Sequence, residues 1–253
     1  MILLKSRQEI EQMRAASTIV AQILDEVASR VRPGVTTAEL DALAEELTLE
    51  KGARPAFKGY TVAGRVYPAS ICISINDEVV HGVPTTKAVL RAGDIVGLDF
   101  GVCYRGYFGD AARTVPVGRV APEAERLMEV TAAALHAGIE AVRPGAHVGD
   151  ISAAIQDAVE AAGFSVVREF VGHGIGRNLH EDPQVPNYRT GARGVRLQEG
   201  LVLAIEPMVN AGGPEVYVKE DGWTAATRDG RLSAHFEHSV AVTGNGPYIL
   251  TLP

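Results

Sequence analysis

Residues 93–115, GDIVGLDFGVCYRGYFGDAARTV, decide the fold of this chain. Val, Ile, Phe, Tyr and Thr are dense in this stretch and glycines punctuate it, a pattern typical of β-strands. We predict two strands, at about 95–102 and 107–117, joined by a tight turn centred on Tyr104 and Arg105. The chain should therefore contain antiparallel sheet.

Two carboxylates lie inside this predicted hairpin. A turn centred on residues 104 and 105 places Asp99 directly opposite Asp110, with Cβ atoms ~5 Å apart. Aspartate is a poor strand former, and two facing negative charges repel each other. A bound cation would make the pair favourable, whereas the alternative is an exposed pair that water solvates.

Length and composition limit the possible classes of protein. A chain of 253 residues with 46% hydrophobic and 22% charged residues is typical of a soluble globular protein of one or two domains. The net charge of −7 argues against an extended nucleic-acid-binding surface. The two cysteines, Cys72 and Cys103, are too few for a disulfide framework and suit a reducing cytoplasm. We expect no membrane association, because neither a signal-peptide core nor an apolar run of spanning length is present.

Four helices and several strands are expected around the hairpin. Capping boxes at Ser6-Arg7-Gln8-Glu9 and Thr36-Thr37-Ala38-Glu39 predict helices at about 6–30 and 36–52. Apolar spacing predicts two more helices, at about 122–141 and 149–162. Residues 69–83 are predicted as two strands around a polar turn, with His81 in the second strand.

An internal repeat relates the two halves of the chain. VRPG occurs at 31–34 and at 142–145, each time between two predicted helices, an offset of 111 residues. GDIVGLD at 93–99 matches GLVLAIE at 200–206 with an offset of 107 residues. Two copies suggest two similar halves about a pseudo-twofold axis, which would bring Asp99 and Glu206 to one central site. Chance similarity is the alternative.

Other polar residues in apolar surroundings point to the same site. Glu206 lies in LVLAIEPMV, Glu237 in LSAHFEHSVAV, and His173 between glycines in FVGHGIG. A charge in such a strand is costly unless it is paired or bound to metal. With Asp99 and Asp110, these residues make a plausible set for two divalent cations. An oxygen-rich set with one imidazole and no thiolate favours Mn, Fe(II) or Co over a structural zinc.

Several motifs together resemble those of the type I methionine aminopeptidases, which have the pita-bread fold. The resemblance covers nearly the whole chain and lies in SICISINDEVVHGVP (70–84), GDIVGLDFG (93–101), GYFGDAARTVPVG (106–118), GHGIGRNLHEDPQVPNY (172–188), GLVLAIEPM (200–208) and LSAHFEHSVAVT (232–243). It implies an α+β fold in which helices cover a curved antiparallel sheet with two pseudo-twofold-related halves. We expect one catalytic metallopeptidase domain spanning 1–253, with halves at about 1–120 and 121–253.

The resemblance also implies residue roles. The metal ligands would be the following residues: Asp99, Asp110, His173, Glu206 and Glu237. Two divalent ions (Co, Mn, Fe(II) or Zn) would be bound, with Asp110 and Glu237 bridging them, while His235 and His238 are not expected to be ligands. Catalysis would use Glu206 as the proton shuttle with His81 and His180 contacting the substrate. The methionine pocket would be lined by Tyr67, Cys72 and Trp223.

The implied activity is removal of the initiator methionine from new protein chains with a small second residue. The expected protein is a cytoplasmic monomer that binds N-termini of nascent peptides, and docking to the ribosome is left open.

Two departures from the family pattern stand out. The segment between Tyr60 and Tyr67 is a few residues longer, which leaves Tyr60 uncertain as a pocket residue, and Leu179 stands where many members have Phe. The alternatives are an Xaa-Pro aminopeptidase or prolidase of the same fold, a non-catalytic binding relative, and a metal-independent acyl hydrolase, against which the lack of a GxSxG motif argues.

Overall fold

The computed structural model describes residues 2–252, and this part of the chain contains four helices in two pairs. The helices are α1 (Arg7–Ser29), α2 (Thr37–Glu50), α3 (Pro122–Glu140) and α4 (Val148–Ala161). Within the described residues, none of them has both the length and the apolarity that a membrane crossing requires.

The two capping boxes predicted from the sequence start α1 and α2. The Ser6 hydroxyl accepts a hydrogen bond from the Glu9 backbone N–H, and the Glu9 carboxylate accepts one from the Ser6 N–H. Thr36 and Glu39 make the same reciprocal pair. These bonds satisfy backbone donors that the first turn of a helix leaves free, so the local sequence sets where both helices begin.

The strands form one large antiparallel sheet and three small ones. The large sheet has nine strands, in the order β1-β6-β7-β16-β11-β9-β10 with β4 paired to β6 and β17 paired to β16. The small sheets are β15-β12-β8, β13-β14-β5 and β2-β3. The strands, in chain order, are β1 (Arg54–Pro55), β2 (Thr61–Val62), β3 (Arg65–Val66), β4 (Cys72–Ile75), β5 (Glu78–Val80), β6 (Ile95–Tyr104), β7 (Tyr107–Pro116), β8 (Ser165–Val166), β9 (Gly172–Gly174), β10 (Glu181–Val185), β11 (Val202–Ile205), β12 (Met208–Asn210), β13 (Val216–Val218), β14 (Ala225–Thr227), β15 (Ser233–His235), β16 (Glu237–Thr243) and β17 (Gly246–Ile249). The predicted α+β class with antiparallel sheet is confirmed, although His81 follows β5 and is not part of it.

The predicted register of the β6–β7 hairpin is wrong, because the turn lies one residue later in the chain than predicted. Tyr104 pairs with Tyr107, so the two turn residues are Arg105 and Gly106, with φ of 51° and 81°. Two-residue hairpin turns favour positive φ at both positions, which Gly106 adopts without strain and Tyr104 would not. Asp99 is therefore opposite Ala112, and Asp110 is opposite Gly101.

Each helix pair packs on a different part of the strands. α1 and α2 share a buried cluster with β6 that includes Val20, Leu98 and Phe100. α3 and α4 share another with β11 that includes Leu127 and Leu203. Because side chains alternate along a strand, the residue between Leu98 and Phe100 points away from the helices. The sheet thus has a second face on which polar residues can gather.

The two VRPG segments make matching backbone contacts. Gly34 and Gly145 both have φ of 91°. The Gly34 N–H donates to the Leu90 carbonyl at 2.8 Å, and the Gly145 N–H donates to the Leu197 carbonyl at 2.9 Å. The acceptors are related by the same offset of 107 residues that relates the two later motifs. The division of one domain into two similar halves stays a prediction that these contacts support.

Candidate metal and substrate site

The strand register brings three carboxylates to one face of the large sheet. Ala112 on β7 pairs with Asp99 on β6 and with Glu237 on β16, so these three residues form a lateral row. Asp110 lies two residues from Ala112 and shares its face of the sheet. The register correction therefore keeps Asp99 and Asp110 on one side, although they are not directly opposite each other.

The neighbouring strands add Glu206 and His173 to the same place. Ile205 at the end of β11 pairs with His238, which puts Glu206 next to Glu237 across the strands. His173 on β9 pairs with Ala204, two residues before Glu206. The His173 Nε2 atom lies 3.4 Å from Glu206 Oε1 and 4.0 Å from Asp110 Oδ2. The five predicted ligands thus converge from five strands or strand ends.

Glycines allow the strands around His173 to approach closely. A Cβ atom on Gly172 would lie 2.4 Å from the Ala204 carbonyl oxygen, and one on Gly174 would lie 2.2 Å from the Asp182 carbonyl oxygen. Side chains at these positions would collide with backbone. The two glycines therefore fix the position of the imidazole between them.

The electrostatics of the cluster favour bound cations. Burial raises the pKa of Asp99 to about 7, and burial together with the Asp99 charge raises the pKa of Asp110 and Glu206 well above their usual ranges. The pKa of Glu237 is raised in the same way, by burial and by the charges of Asp110 and Glu206. Burial lowers the pKa of His173 to about 3, which keeps its imidazole neutral and able to donate a lone pair.

The donor atoms fit divalent metal ions. Oxygen or nitrogen atoms of Asp110, His173 and Glu237 lie within 4.8 Å of one another. Among the described residues, Asp110 Oδ1 and Glu237 Oε1 are buried without a hydrogen-bond partner, a costly state for an acceptor oxygen. Carboxylate oxygens with one imidazole and no thiolate form the kind of set that Mn, Fe(II) and Co accept.

A cavity of about 510 Å³ adjoins this cluster. Its walls include the three predicted pocket residues, Tyr67, Cys72 and Trp223. Cys72 is opposite Asp99 on the neighbouring strand, which places it beside the carboxylates. The Tyr67 hydroxyl donates to the Gly82 carbonyl at 2.8 Å, and its ring meets the Trp223 ring edge to face at 5.2 Å. These contacts make the wall apolar and fix its shape.

The two predicted substrate histidines also line the cavity. His81 has φ of 62°, and its ring contacts Phe170 edge to face at 5.2 Å. Burial lowers the pKa of His81 to about 4 and lowers the pKa of His180 as well. His180 keeps part of its surface exposed, and its ring lies 4.3 Å from the His173 ring by centroids. Both imidazoles are therefore neutral near pH 7 and can donate one N–H.

Tyr60, which the sequence left uncertain, lies in the cavity wall. Its hydroxyl is 2.7 Å from His180 Nδ1. Burial raises the pKa of Tyr60, so its O–H remains protonated and is available to donate to that nitrogen. When the Tyr60 O–H donates, the imidazole proton lies on His180 Nε2.

Sequence reasoning missed several lining residues and one neighbour of the cluster. The lining residues are Phe57, Val62, Val80, Phe170, Val171, Gln184 and Met208. The neighbour is His235, whose Nε2 lies 3.8 Å from Glu206 Oε2 and has no hydrogen-bond partner among the described residues. His238 instead contacts the Thr251 hydroxyl through Nδ1 at 2.8 Å. The spacing of the two histidines from Glu237 differs: His235 is two residues away, the spacing that puts side chains on one face of a strand, whereas His238 is adjacent and faces the other side.

The chain is similar to known proteins over nearly its whole length. Residues 11–244 match the model of metallopeptidase family M24. A methionine aminopeptidase of Clostridium perfringens is 52% identical over 252 residues, covering 100% of this chain and 99% of the relative. The crystal structure of methionine aminopeptidase from Thermotoga maritima superposes with a TM-score of 0.96 at 47% identity, covering 100% of both chains. A prolidase from Pyrococcus furiosus, 24% identical, has a TM-score of 0.80 over 99% of this chain and 65% of its own, a likeness of fold alone. The predicted pita-bread fold is confirmed.

Proposed function

The chain belongs to metallopeptidase family M24 and, within it, to the methionine aminopeptidases, and on this premise we propose that it removes the initiator methionine from newly made proteins whose second residue is small. The single observation that carries the proposal is the convergence of four carboxylates and one imidazole beside an apolar cavity. The protein would work in the cytoplasm as a monomer and would bind the N-termini of nascent chains.

The five converging residues would hold two divalent ions. Asp99, Asp110, His173, Glu206 and Glu237 would supply the ligand atoms for these ions. Four negative charges balance two divalent cations, which offsets the burial and the mutual repulsion that raise the pKa of these carboxyls. Bound there, the ions would supply a Lewis acid for the scissile carbonyl and lower the pKa of the attacking water.

Glu206 would move the proton during hydrolysis. Its side chain follows β11 and keeps 14% of its surface exposed towards the cavity, so it reaches both the cluster and the substrate. It would accept a proton from the attacking water and deliver it to the leaving amine, which makes departure of the new N-terminus possible.

His180 and His81 would hold the reacting carbonyl and amide. The Tyr60 hydroxyl, bonded to His180 Nδ1, supports a His180 Nε2–H that donates to the developing oxyanion or to the departing nitrogen. His81 would donate from the cavity wall beside Phe170. Donors fixed before the reaction stabilise the transition state more than donors that must reorient.

The apolar wall would select the first residue of the substrate. An unbranched thioether side chain fits against Tyr67, Cys72 and Trp223, and Leu179 extends the same apolar surface. A charged side chain would lose its hydration there without gaining a partner. This is the basis of the proposed preference for methionine.

The proposal is tested by incubating the metal-loaded protein with Met-Ala-Ser and with an Xaa-Pro peptide. We expect free methionine from the first peptide and no measurable product from the second. Faster release from the Xaa-Pro peptide would replace the proposal with a prolidase-type activity. A protein that binds metal and cleaves neither peptide would be a non-catalytic relative.

A further inference from the structure

The hairpin formed by β2 and β3 lies between the two cavity tyrosines, in the segment that is longer than the family pattern. Backbone bonds between Tyr67 N–H and the Tyr60 carbonyl (2.8 Å) and between Gly59 N–H and the Tyr67 carbonyl (2.9 Å) close its base. Its turn residues, Ala63 and Gly64, have φ of 48° and 79°, as a tight two-residue turn requires. The extra residues therefore form a defined element at the rim of the cavity.

The two faces of this hairpin differ. Thr61 pairs with Val66 and Val62 pairs with Arg65, so Val62 and Arg65 share one face. Val62 lines the cavity. Arg65 donates through Nη1 to the Gly222 carbonyl at 2.9 Å, next to Trp223. The Val62 face thus looks into the cavity, and the Val66 face looks away from it.

Arg65 holds the hairpin against the segment that carries Trp223. A Cβ atom on Gly222 would lie 2.5 Å from Arg65 Nη1, so the guanidinium occupies the space that a side chain there would need. Gly222 also has φ of 76°. Arg65 therefore connects the hairpin that carries Val62 to the segment that carries Trp223, so both residues lie on one side of the cavity.

Part of the apolar Val62 side chain is exposed to solvent. Val62 is 49% exposed although it lines the cavity. A peptide whose first residue is held at the cluster must leave the cavity on a side open to solvent, and the lining residues His180 and Val62 are both exposed. In an extended peptide, the side chains of the first and third residues point to the same side. A third residue would therefore point to the side of the cavity on which Trp223 and Val62 lie.

We propose that Val62 is a specificity-determining residue that contacts the third residue of the peptide substrate and favours an apolar side chain there, with Arg65 as the positioning residue of the hairpin. This inference rests on the proposed function, because it takes the peptide to enter by its N-terminus. Covering half of a valine side chain gives a preference of about five-fold in kcat/KM.

The experiment compares kcat/KM for Met-Ala-Leu-Gly-amide and Met-Ala-Ser-Gly-amide with metal-loaded wild type, Val62→Ser and Val66→Ser. Val66→Ser is the matched control, since Val66 is 58% exposed on the opposite face of the same hairpin. We expect wild type and Val66→Ser to prefer the leucine peptide about five-fold, and Val62→Ser to show no preference. Circular dichroism spectra check that all three proteins fold alike.

Arg65 gives a second measurement. Arg65→Ala should lose the preference through a higher KM for the leucine peptide at unchanged kcat, and Arg65→Lys should restore part of it. A full preference in Val62→Ser, or none in wild type that cleaves both peptides, would overturn the hairpin assignment alone. If neither peptide releases methionine, the proposed function is overturned and the hairpin assignment with it.

Discussion

Replacing Tyr60 with Phe should lower kcat for Met-Ala-Ser and leave KM and metal content nearly unchanged. The substitution removes only the hydroxyl, which lies 2.7 Å from His180 Nδ1, and keeps the ring in the cavity wall. Without that donor the imidazole can rotate and exchange its proton between the two nitrogens, so Nε2 carries the proton for a smaller fraction of the time.

The size of this effect follows from the bond that is lost. A neutral hydrogen bond contributes about 0.5–1.5 kcal/mol net, which corresponds to about 2- to 12-fold in rate. Removing the imidazole itself in His180→Ala should cost about 100- to 1000-fold, as for other donors to an oxyanion. Tyr60→Phe should therefore show only a small part of the loss seen in His180→Ala.

A double-mutant cycle separates this role from simple loss of packing. If Tyr60 acts through His180, then Tyr60→Phe should have no further effect in the His180→Ala background. Tyr248→Phe is a suitable control, because Tyr248 is exposed on β17 and does not line this cavity. An undiminished effect of Tyr60→Phe in the His180→Ala background would refute the reasoning, and so would a parallel loss of bound metal.

Three further predictions concern the cluster, the cavity and the fold. Asp110→Asn should abolish turnover without unfolding the metal-free protein, because the amide lacks the charge and part of the acceptor capacity while repulsion in the cluster falls; near-normal turnover in metal-replete buffer would contradict the assignment. Peptides of the form Xaa-Ala-Ser should be cleaved with methionine and norleucine in first place, about 10- to 200-fold more slowly with leucine, and not with lysine. Equal kcat/KM for the methionine and lysine peptides would contradict the assignment of Tyr67, Cys72 and Trp223 to a methionine pocket. Lys5→Met should lower the free energy of unfolding in urea by about 3–5 kcal/mol, because Lys5 Nζ and Glu181 Oε2 form a buried pair at 2.6 Å. Lys58→Met, which breaks an exposed pair with Glu45, should cost less than about 1 kcal/mol, and similar losses in both variants would show that burial does not decide the effect.

The sequence predicts those features that depend on local chemistry. Ser6 with Glu9 marks a helix start, because a side chain three residues away can satisfy the free backbone donors. Glu206 and Glu237 stand out because a charge in an apolar strand needs a compensating partner, and the structure brings both to one cluster. The alternation of side chains along the strands then carries these residues to the same face.

The features that the sequence does not predict depend on register and on contacts between distant residues. The turn of the β6–β7 hairpin lies one residue later than expected, because Gly106 accepts a positive φ and Tyr104 does not. Tyr60 and His180 are 120 residues apart, and no local sequence pattern predicts their hydrogen bond. His235 approaches Glu206 only because β12 pairs with β15, which places His235 opposite Met208, two residues after Glu206.

The central claim is that the five converging side chains bind two divalent ions that methionine release requires. The most direct test is the metal content of anaerobically purified protein by mass spectrometry, with turnover of Met-Ala-Ser measured on the same sample before and after chelation. We predict two divalent ions per chain, methionine release from the untreated sample, and loss of both on chelation. Full turnover by protein that holds no metal, or by protein that holds only one ion, would contradict the claim.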